Sequence, residues 1–276
     1  MAQFVDGKKI ADEILEDLRL KIKDLRTQLR LVVVLVGNNP ASESYVKIKQ
    51  KKGEQIGINV EVNRYPAEIT EQKLKAEIQK FNSEPTVGGI IVQLPLPVNL
   101  NRDEILNSVD PKLDVDCLTS ENKQRLIRGE PYFLPPAAAA AVRILEYYNV
   151  ALPGKNILIV GSGDLIGKPV SAMLLNKKVP FELANRHTEN LNELAARADV
   201  IITGVGKAGL ITGDMIKDGA VIIDAGTTGS DEGEIIGDVD QASVMGKASL
   251  LAPVPGGVGP VTVAILFENL VKSAKK

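Results

Sequence analysis

The stretch SESYVKIK contains a tyrosine and a lysine, Tyr45 and Lys49, four residues apart. If this stretch is a helix, the two side chains lie one turn apart on the same face, with an aromatic ring beside an amine. A lysine that is buried at such a place has a lowered pKa and can act as an acid or a base near neutral pH. An ordinary solvated helix face has the same spacing, so the pair alone does not decide between these interpretations.

Two further polar residues are candidates for a common site with this pair. Gln93 follows the apolar run VGGIIV, and Asp116 lies in the segment LDVDCLTS. Ligands bind at the carboxyl ends of strands in open α/β sheets, and Gln93 stands at such an end. An amide there can orient the lysine, and a carboxylate can accept hydrogen bonds from the amino and ring N–H groups of a ligand.

The elements that must position these residues alternate between helix and strand in the first half of the chain. The run LVVVLV is continuously apolar, which is typical of a strand buried on both faces of a parallel sheet. Ser42 is predicted as the N-cap of the helix that carries Tyr45 and Lys49, and Gly57 as its C-terminal stop. Apolar periodicity predicts helices at 10–25, 42–56 and 70–81, and strands at 31–36, 58–62 and 87–94.

The second half repeats the alternation after a segment rich in proline and polar residues at 110–136 and an alanine-rich helix. PVPGGVGP at 253–260 is too rich in proline and glycine for either element, and VTVAILFENLVKSA after it predicts a closing helix. The predicted fold class is therefore α/β with two open α/β domains. The predicted strands of the second half are 156–160, 180–184, 199–204 and 220–226, and its predicted helices are 166–177 and 190–197.

A glycine-rich loop, GSGDLIG at 161–167, follows the strand NILIV and leads into a helix. Its first two glycines, Gly161 and Gly163, have the spacing of the dinucleotide fingerprint, and the third comes one residue late. Without side chains, these glycines bring backbone amides and the helix N-terminus close to a pyrophosphate. Many strand-to-helix turns need glycine for conformation alone, but the strand–loop–helix context favours a cofactor.

The choice of cofactor depends on the end of the next strand, where an NAD site usually has an acidic residue. This chain has Asn185, Arg186 and His187 there and no acid at the strand end, because Glu182 lies within the strand. Arg186 can form charge-assisted hydrogen bonds to a 2′-phosphate, so NADP is the predicted cofactor. An ordinary exposed arginine remains the alternative for Arg186, and His187 is expected to be a surface residue.

Composition and charge favour a small-molecule enzyme. The 276 residues include 33 basic and 35 acidic ones, with no long run of one sign that would suit nucleic acid or an anionic membrane. A single cysteine, Cys117, excludes an intramolecular disulfide, and a single histidine excludes the clustered ligands of an ordinary zinc site. We expect a cytoplasmic protein without metal, signal peptide or membrane span.

An ordered set of motifs closely resembles the methylenetetrahydrofolate dehydrogenase/cyclohydrolase family, usually called FolD. The resemblance extends from about residue 4 to residue 271 and is carried by PASESYVKIK, GGIIVQLPLP, DVDCLTS, GKPVS, VGKAG, GDVD and LAPVPGGVGPVTVAIL. It implies NADP-dependent oxidation of 5,10-methylenetetrahydrofolate and hydrolysis of the methenyl product to 10-formyltetrahydrofolate. This is a reaction pair of one-carbon metabolism and purine biosynthesis, carried out by a homodimer that is joined through its cofactor domains.

The resemblance also implies roles for matching residues. Lys49 would be the key residue of hydrolysis, Gln93 would tune it, Tyr45 would stack on the folate and Asp116 would hold the pterin. Pro255, Gly256 and Gly257 would form a backbone wall against the folate, near the nicotinamide. The remaining matching positions are Val92 and Leu94 for substrate, and Gly161, Ser162, Gly163, Ile166, Asn185, Arg186 and Thr227 for the cofactor.

The implied domains are an N-terminal folate-binding domain at 1–136, a Rossmann-type NADP-binding domain at 137–256, and a C-terminal helix at 257–276 that packs back on the first domain. The chain departs from the family pattern where many members have Gly-Arg-Ser and it has Gly161-Ser-Gly163. The loop arginine is thus absent, and Arg186 is expected to compensate. It also has Cys117 where the family commonly has glycine, and Pro135-Pro-Ala-Ala138 where it has Pro-Cys-Thr-Pro.

Two alternatives remain open at this point. Shikimate dehydrogenase has a similar length and an Asn-Arg-Thr pattern comparable to the residues at 185–188, but it does not account for VQLPLP or PVPGGVGP. A catalytically silent nucleotide-binding module is the other alternative, which the altered glycine loop favours and the joint presence of Tyr45, Lys49, Gln93 and Asp116 opposes.

Overall fold

The computed structural model describes residues 1–24, 29–229 and 235–274. The chain forms two compact units. Unit 1 comprises Met1–Asp12 and Pro136–Thr262, and unit 2 comprises Glu13–Pro135 and Val263–Lys276. Within the described residues, no helix combines the length and the apolar character that crossing a bilayer requires.

The elements alternate along the chain as an α/β protein requires. The helices are α1 (Gly7–Lys23), α2 (Pro40–Ile56), α3 (Glu71–Asn82), α4 (Arg102–Leu106), α5 (Ser120–Ile127), α6 (Pro136–Tyr147), α7 (Gly167–Asn176), α8 (Leu191–Arg197), α9 (Gln241–Val244) and α10 (Val258–Ser273). The strands are β1 (Gln3–Phe4), β2 (Arg30–Val36), β3 (Asn59–Tyr65), β4 (Val87–Val92), β5 (Ile157–Val160), β6 (Glu182–Ala184), β7 (Val200–Thr203), β8 (Val221–Asp224), β9 (Thr228–Gly229), β10 (Ile235–Ile236) and β11 (Leu250–Ala252).

Unit 1 contains, among its described residues, a six-stranded parallel sheet of order β1-β11-β8-β7-β5-β6. β1 pairs with β11 through Gln3 opposite Leu250 and Phe4 opposite Leu251. This pairing places residues 1–12 in unit 1, whereas the sequence assigned them to the N-terminal domain. Neither β1 nor β11 was predicted, because segments of two or three residues are too short to show a period.

Unit 2 is built on a three-stranded parallel sheet of order β3-β2-β4. The central strand β2 is buried along almost its entire length, as its run of valines predicts. One face of β2 packs against the apolar residues Leu74, Ile78 and Phe81 of α3. In the same unit, Phe267 of α10 approaches Gly53 of α2, where an added Cβ would lie 3.4 Å from the ring.

The N-cap predicted for α2 is wrong. Asn39 caps the helix, because its side chain accepts the backbone N–H of Ser42 at 3.0 Å and Pro40 fills the first turn, where no N–H is needed. Ser42 instead lies inside the helix and is buried. Gly57 is confirmed as the C-terminal stop, in the left-handed conformation with φ of 80°.

The C-terminal helix begins earlier than predicted. α10 begins at Val258, inside the segment 253–260 that was expected to form neither helix nor strand. Pro260 is tolerated there because the first turn of a helix has no intrahelical partners for its N–H groups. From Val263 onward the helix belongs to unit 2. Leu25, the predicted end of the first helix, lies outside the described residues.

Candidate active site

Lys49 and Gln93 form a direct hydrogen bond in unit 2. The Lys49 Nζ donates to Gln93 Oε1 at 2.9 Å, and Lys49 is only 9% exposed although it carries an amine. Gln93 directly follows β4, and its backbone N–H donates to the Val34 carbonyl at 2.9 Å. The amide is therefore fixed at the carboxyl end of the sheet, where ligands of open α/β sheets bind.

The orientation of the Gln93 amide is set by a neighbouring carbonyl. Gln93 Nε2 donates to the Leu94 carbonyl at 2.9 Å, and the hydroxyl of Ser42 in α2 donates to the same carbonyl at 3.1 Å. Because only the amide nitrogen can donate to a carbonyl, Gln93 must present its oxygen to Lys49. The shared carbonyl also links α2 to the segment after β4.

Asp116 lies in a turn that a second carboxylate holds in place. The buried Asp114 accepts the backbone N–H groups of Leu118 at 3.1 Å and Thr119 at 2.8 Å, and also the side-chain amide of Asn122 at 2.9 Å. Asp116 itself is half-buried, and in the part of the chain that the structure describes its carboxylate accepts no hydrogen bond. Its oxygens thus remain available to the N–H donors of a ligand.

Cys117, next to Asp116, adopts a left-handed backbone conformation with φ of 60°. This conformation favours glycine, the residue expected at this position from the family pattern. The side chain is buried, and burial raises the pKa of the thiol well above its usual range. The thiol therefore stays protonated and is a packing group rather than a nucleophile.

The electrostatics of Lys49 and Asp116 are coupled. Burial lowers the pKa of the Lys49 amine, and the negative charge of Asp116 partly opposes this effect. Burial likewise raises the pKa of Asp116, while Lys49 acts in the opposite direction and Asp114 adds to the rise. The result is an amine that loses its proton at a lower pH than an exposed lysine does, which suits proton transfer.

Tyr45 lies one turn before Lys49 on α2 and is half-buried. Burial raises the pKa of its phenol, so the ring stays neutral at physiological pH and offers an uncharged stacking surface. Val92 is 3% exposed and packs in the core, and Leu94 packs partly against the same core. The substrate contacts of these two residues stay predictions.

The glycine loop of unit 1 has the close approaches that a dinucleotide site needs. Gly161 directly follows β5 with φ of 105°, and an added Cβ would lie 2.9 Å from the Gly204 carbonyl. At Gly167, the first residue of α7, a Cβ would lie 1.8 Å from the Gly161 carbonyl. Ser162 and Gly163 between them are exposed. The third glycine, although one residue late, thus serves the same close packing as in the standard fingerprint.

Ile166, also predicted to contact the cofactor, is 5% exposed, and a Cβ on Gly204 would lie 2.6 Å from its side chain. It precedes α7 without a side-chain cap. In the first turn of α7, the N–H of Lys168 donates to the Gly163 carbonyl at 3.1 Å and Pro169 has no N–H, so the N–H of Gly167 is the group of this turn that is left for an anion. These observations fit a pyrophosphate at this loop.

Arg186 is exposed in a tight turn after the edge strand β6. Asn185 shapes this turn, because its side-chain oxygen accepts the backbone N–H of His187 at 2.9 Å. Arg186 Nε donates to the His187 ring at 3.1 Å, and Glu182 within β6 is paired with Arg197 at 2.6 Å. The end of β6 thus presents a guanidinium, and the carboxylate within the strand is already paired.

Thr227 and the segment Pro255–Gly257 follow the ends of β8 and β11. Thr227, Pro255 and Gly256 are exposed, while Gly257 is buried against the start of α1. There, an added Cβ on Gly7 would lie 1.9 Å from the Gly257 carbonyl, so this turn needs a glycine on each side. The roles of Pro255, Gly256 and Gly257 toward the folate stay predictions.

The sequence assigned no role to two buried carboxylates in unit 1, Asp224 and Asp238. Both are fully buried at the carboxyl-end side of the sheet and accept several backbone N–H groups. The sequence signal for Asp238 was the motif GDVD, in which this first aspartate cannot be distinguished from a surface residue without the fold, and Asp224 lies in the strand predicted at 220–226.

Comparison with known proteins identifies the family. The model described as "Tetrahydrofolate dehydrogenase/cyclohydrolase, catalytic domain" matches residues 5–116, and the "NAD(P)-binding domain" model of the same family matches residues 135–276. The chain belongs to the tetrahydrofolate dehydrogenase/cyclohydrolase family. Bifunctional protein FolD of Nautilia profundicola is 40% identical over 275 residues, which cover 99% of this chain and 97% of that protein.

Two solved structures of the family agree with this assignment. Bifunctional FolD from Campylobacter jejuni superimposes with a TM-score of 0.96 at 39% identity and covers 100% of this chain and 99% of its own. FolD from Trypanosoma brucei, solved with NADP cofactor and an inhibitor, has a TM-score of 0.92 at 30% identity and coverage of 99% and 97%. The predicted family, two-domain α/β class and dehydrogenase/cyclohydrolase type are confirmed over the shikimate dehydrogenase alternative.

Proposed function

We propose that this chain oxidises 5,10-methylenetetrahydrofolate to 5,10-methenyltetrahydrofolate with NADP, and then hydrolyses the methenyl compound to 10-formyltetrahydrofolate. The observation that carries this proposal is the buried Lys49 amine, bonded to Gln93 at 2.9 Å and attracted by Asp116. The family assignment and the relatives named as bifunctional support both reactions.

In the oxidation, the residues of unit 2 bind and orient the folate. Asp116 accepts the amino and ring N–H groups of the pterin, since its carboxylate has no other donor among the described residues. The neutral ring of Tyr45 stacks on the folate, and the backbone of Val92 and Leu94 lines the substrate. NADP, when bound, accepts the hydride from the methylene carbon. The protein contributes orientation to this step rather than a proton donor.

In the hydrolysis, Lys49 acts as the base. Water forms a bond to the methenyl carbon while the neutral amine of Lys49 accepts one water proton. The hydroxyl proton of the adduct then moves to the ring nitrogen N5 as the bond between that nitrogen and the carbon breaks, which leaves the formyl group on N10. Lys49 finally releases its proton to solvent. Gln93 holds the amine in place throughout.

For the coenzyme, we propose that Gly161, Ser162, Gly163 and Ile166 bind the pyrophosphate together with the first turn of α7. Thr227 contacts the dinucleotide at the end of β8, and Asn185 shapes the turn that presents Arg186 to the 2′-phosphate. This choice of NADP over NAD is supported by the exposure of Arg186 and by the pairing of Glu182 with Arg197, which engages the carboxylate of β6 away from a 2′-hydroxyl.

A two-stage assay tests the function. The enzyme is mixed with methylenetetrahydrofolate and either NADP or NAD, and formation of methenyltetrahydrofolate is followed before its hydrolysis is measured separately. We expect both stages with NADP. Absence of turnover with either coenzyme would refute the proposed function, and turnover with NAD alone would refute the role of Arg186.

We further propose a cytoplasmic homodimer that is joined through the cofactor domains. In support, β6 is the terminal strand of the sheet in unit 1, and Leu183 on it is 40% exposed. An uncovered sheet edge with apolar side chains is a common place for association with a second copy. Light scattering after size exclusion should give twice the chain mass, and charged substitution of Leu183 should shift the mass toward the monomer.

A further inference from the structure

Asp224 and Asp238 are the two fully buried carboxylates among the described residues of unit 1, and neither has a role in the proposed chemistry. Asp224 ends β8, and Asp238 lies in the segment GDVD that follows β10. Ionised side chains are rarely buried unless they are well paired or hydrogen-bonded. Their burial therefore points to a specific set of partners.

Asp238 holds the loop that follows β7. Its Oδ2 accepts the hydroxyl of Thr203 at 2.7 Å and the N–H of Val205 at 2.6 Å, and its Oδ1 accepts the N–H groups of Gly206 at 2.9 Å and Lys207 at 2.8 Å. Three successive backbone N–H groups thus converge on one carboxylate, which fills an anion-binding nest from within the protein.

Asp224 holds the loop that follows β8. Its Oδ1 accepts the N–H groups of Gly226 at 2.9 Å and Asp238 at 3.1 Å, and its Oδ2 accepts the N–H of Val239 at 3.0 Å. Side chains are excluded around both carboxylates: an added Cβ on Gly226 would lie 2.2 Å from the Asp238 carboxyl, and one on Gly237 would lie 2.0 Å from Asp224 Oδ2.

The two held loops lie beside the glycine loop. β8, β7 and β5 are neighbours in the parallel sheet, so their carboxyl ends meet at one edge. Gly161 approaches the carbonyl of Gly204, in the loop after β7, and an added Cβ on Gly161 would lie 3.1 Å from Val205. Thr227, a proposed cofactor contact, directly follows Gly226. A shift of either held loop would therefore move groups that border the pyrophosphate.

We propose that Asp224 and Asp238 are positioning residues for the coenzyme, which set the loops after β7 and β8 at the dinucleotide edge of unit 1. The inference rests on the proposed coenzyme-dependent function of the chain. It extends that function to a pair of carboxylates that need not touch the coenzyme.

The test replaces one carboxylate oxygen and measures the two activities separately. Asp238→Asn keeps the shape of the side chain but replaces one oxygen by an NH₂ group and removes the negative charge. The Thr203 hydroxyl can accept from this NH₂ group, but a backbone N–H cannot, so at least one backbone hydrogen bond of the loop is lost. We expect the Kd for NADP by titration calorimetry, and the KM for NADP, to rise about tenfold or more. Hydrolysis of supplied methenyltetrahydrofolate needs no coenzyme, and we expect its kcat and KM to stay within about twofold of the parent values.

Asp199→Asn is the matched control. Asp199 stands before the other end of β7, where its carboxylate accepts the N–H of Asn156 and the amine of Lys217, both at 2.8 Å. It also is an aspartate that accepts a backbone N–H, but it lies away from the dinucleotide edge. The NADP affinity of this variant should equal that of the parent protein.

Thr203→Val provides a second, milder variant in case Asp238→Asn fails to fold. It removes one of the four donors to Asp238, and we expect the Kd for NADP to rise about threefold. Thr203→Ser keeps the hydroxyl and should restore the parent Kd.

An affinity for NADP within about twofold of the parent value in folded Asp238→Asn or Thr203→Val would overturn the proposal. A loss of NADP affinity in Asp199→Asn equal to that in Asp238→Asn would also overturn it. Binding of NAD in place of NADP by the parent would refute only the coenzyme choice, and the variants are then compared with NAD. A parent that binds neither would refute both proposals.

Discussion

Replacement of Lys49 by methionine is the most direct perturbation of the proposed hydrolytic site. Methionine has a similar length and suits the buried position, where the native side chain is only 9% exposed. The substitution removes the amine that donates to Gln93 Oε1 at 2.9 Å, and with it the base for water. A well-placed general base contributes about 10²–10⁴-fold, so the barrier to hydrolysis should rise by roughly 3–5 kcal/mol.

The oxidation should respond much less to this substitution. The coenzyme accepts the hydride, and Lys49 contributes only to the shape of the substrate site in that step. The free energy of unfolding should change little, because loss of the hydrogen bond to Gln93 is offset by removal of an amine whose lowered pKa shows that burial disfavours its charge. We therefore expect a folded enzyme that accumulates methenyltetrahydrofolate.

The assay follows the absorbance of methenyltetrahydrofolate, first as it forms from methylenetetrahydrofolate with NADP and then as it decays when supplied alone. Lys47→Met is the matched control, since Lys47 lies on the same helix, is exposed, and should leave both stages unchanged. Hydrolysis by Lys49→Met within about threefold of the parent rate would refute the role of the amine as the base. Equal loss of both stages at an unchanged Tm would instead assign Lys49 to substrate binding.

Three further predictions concern the other charged groups. Asp116→Asn removes the negative charge that opposes the effect of burial on Lys49, so the pKa of Lys49 should fall further. In a plot of hydrolysis rate against pH, the rising limb should then move to lower pH. A limb at the same pH as in the parent protein would contradict this coupling. Arg186→Ala should weaken NADP binding about tenfold or more and leave NAD binding within about twofold, and equal losses for both would remove Arg186 from coenzyme selection. Burial raises the pKa of the Asp224 carboxyl from 3.8 to about 6, so the folded state binds this proton more tightly than the unfolded state does. The contribution of this group to the free energy of unfolding should therefore fall by roughly 3 kcal/mol as the pH rises from 3.8 to about 6. The free energy of unfolding of Asp224→Asn, measured with urea, should lack this fall. If it depends on pH between these two values as it does in the parent protein, Asp224 does not titrate there.

Local sequence patterns were sufficient to predict the main helices and strands and to select the residue types of the candidate active site. The valine run at 31–36 and the four-residue spacing on α2 follow from short-range periodicity, which depends only on neighbours along the chain. Tyr45, Lys49, Gln93 and Asp116 were chosen from such local contexts, together with the resemblance to the family. The glycine loop was found in the same way, because its backbone demands are local.

The tertiary structure decided what depends on distant neighbours. Burial of Lys49, its bond to Gln93 and its coupling to Asp116 join segments far apart in sequence, and the pKa of a lysine is set by those neighbours rather than by the residues beside it. The short strands β1 and β11 form only because each finds a partner. The structural role of Asp238 also depends on the tertiary structure, because the N–H groups that donate to it belong to a loop more than 30 residues earlier in the chain.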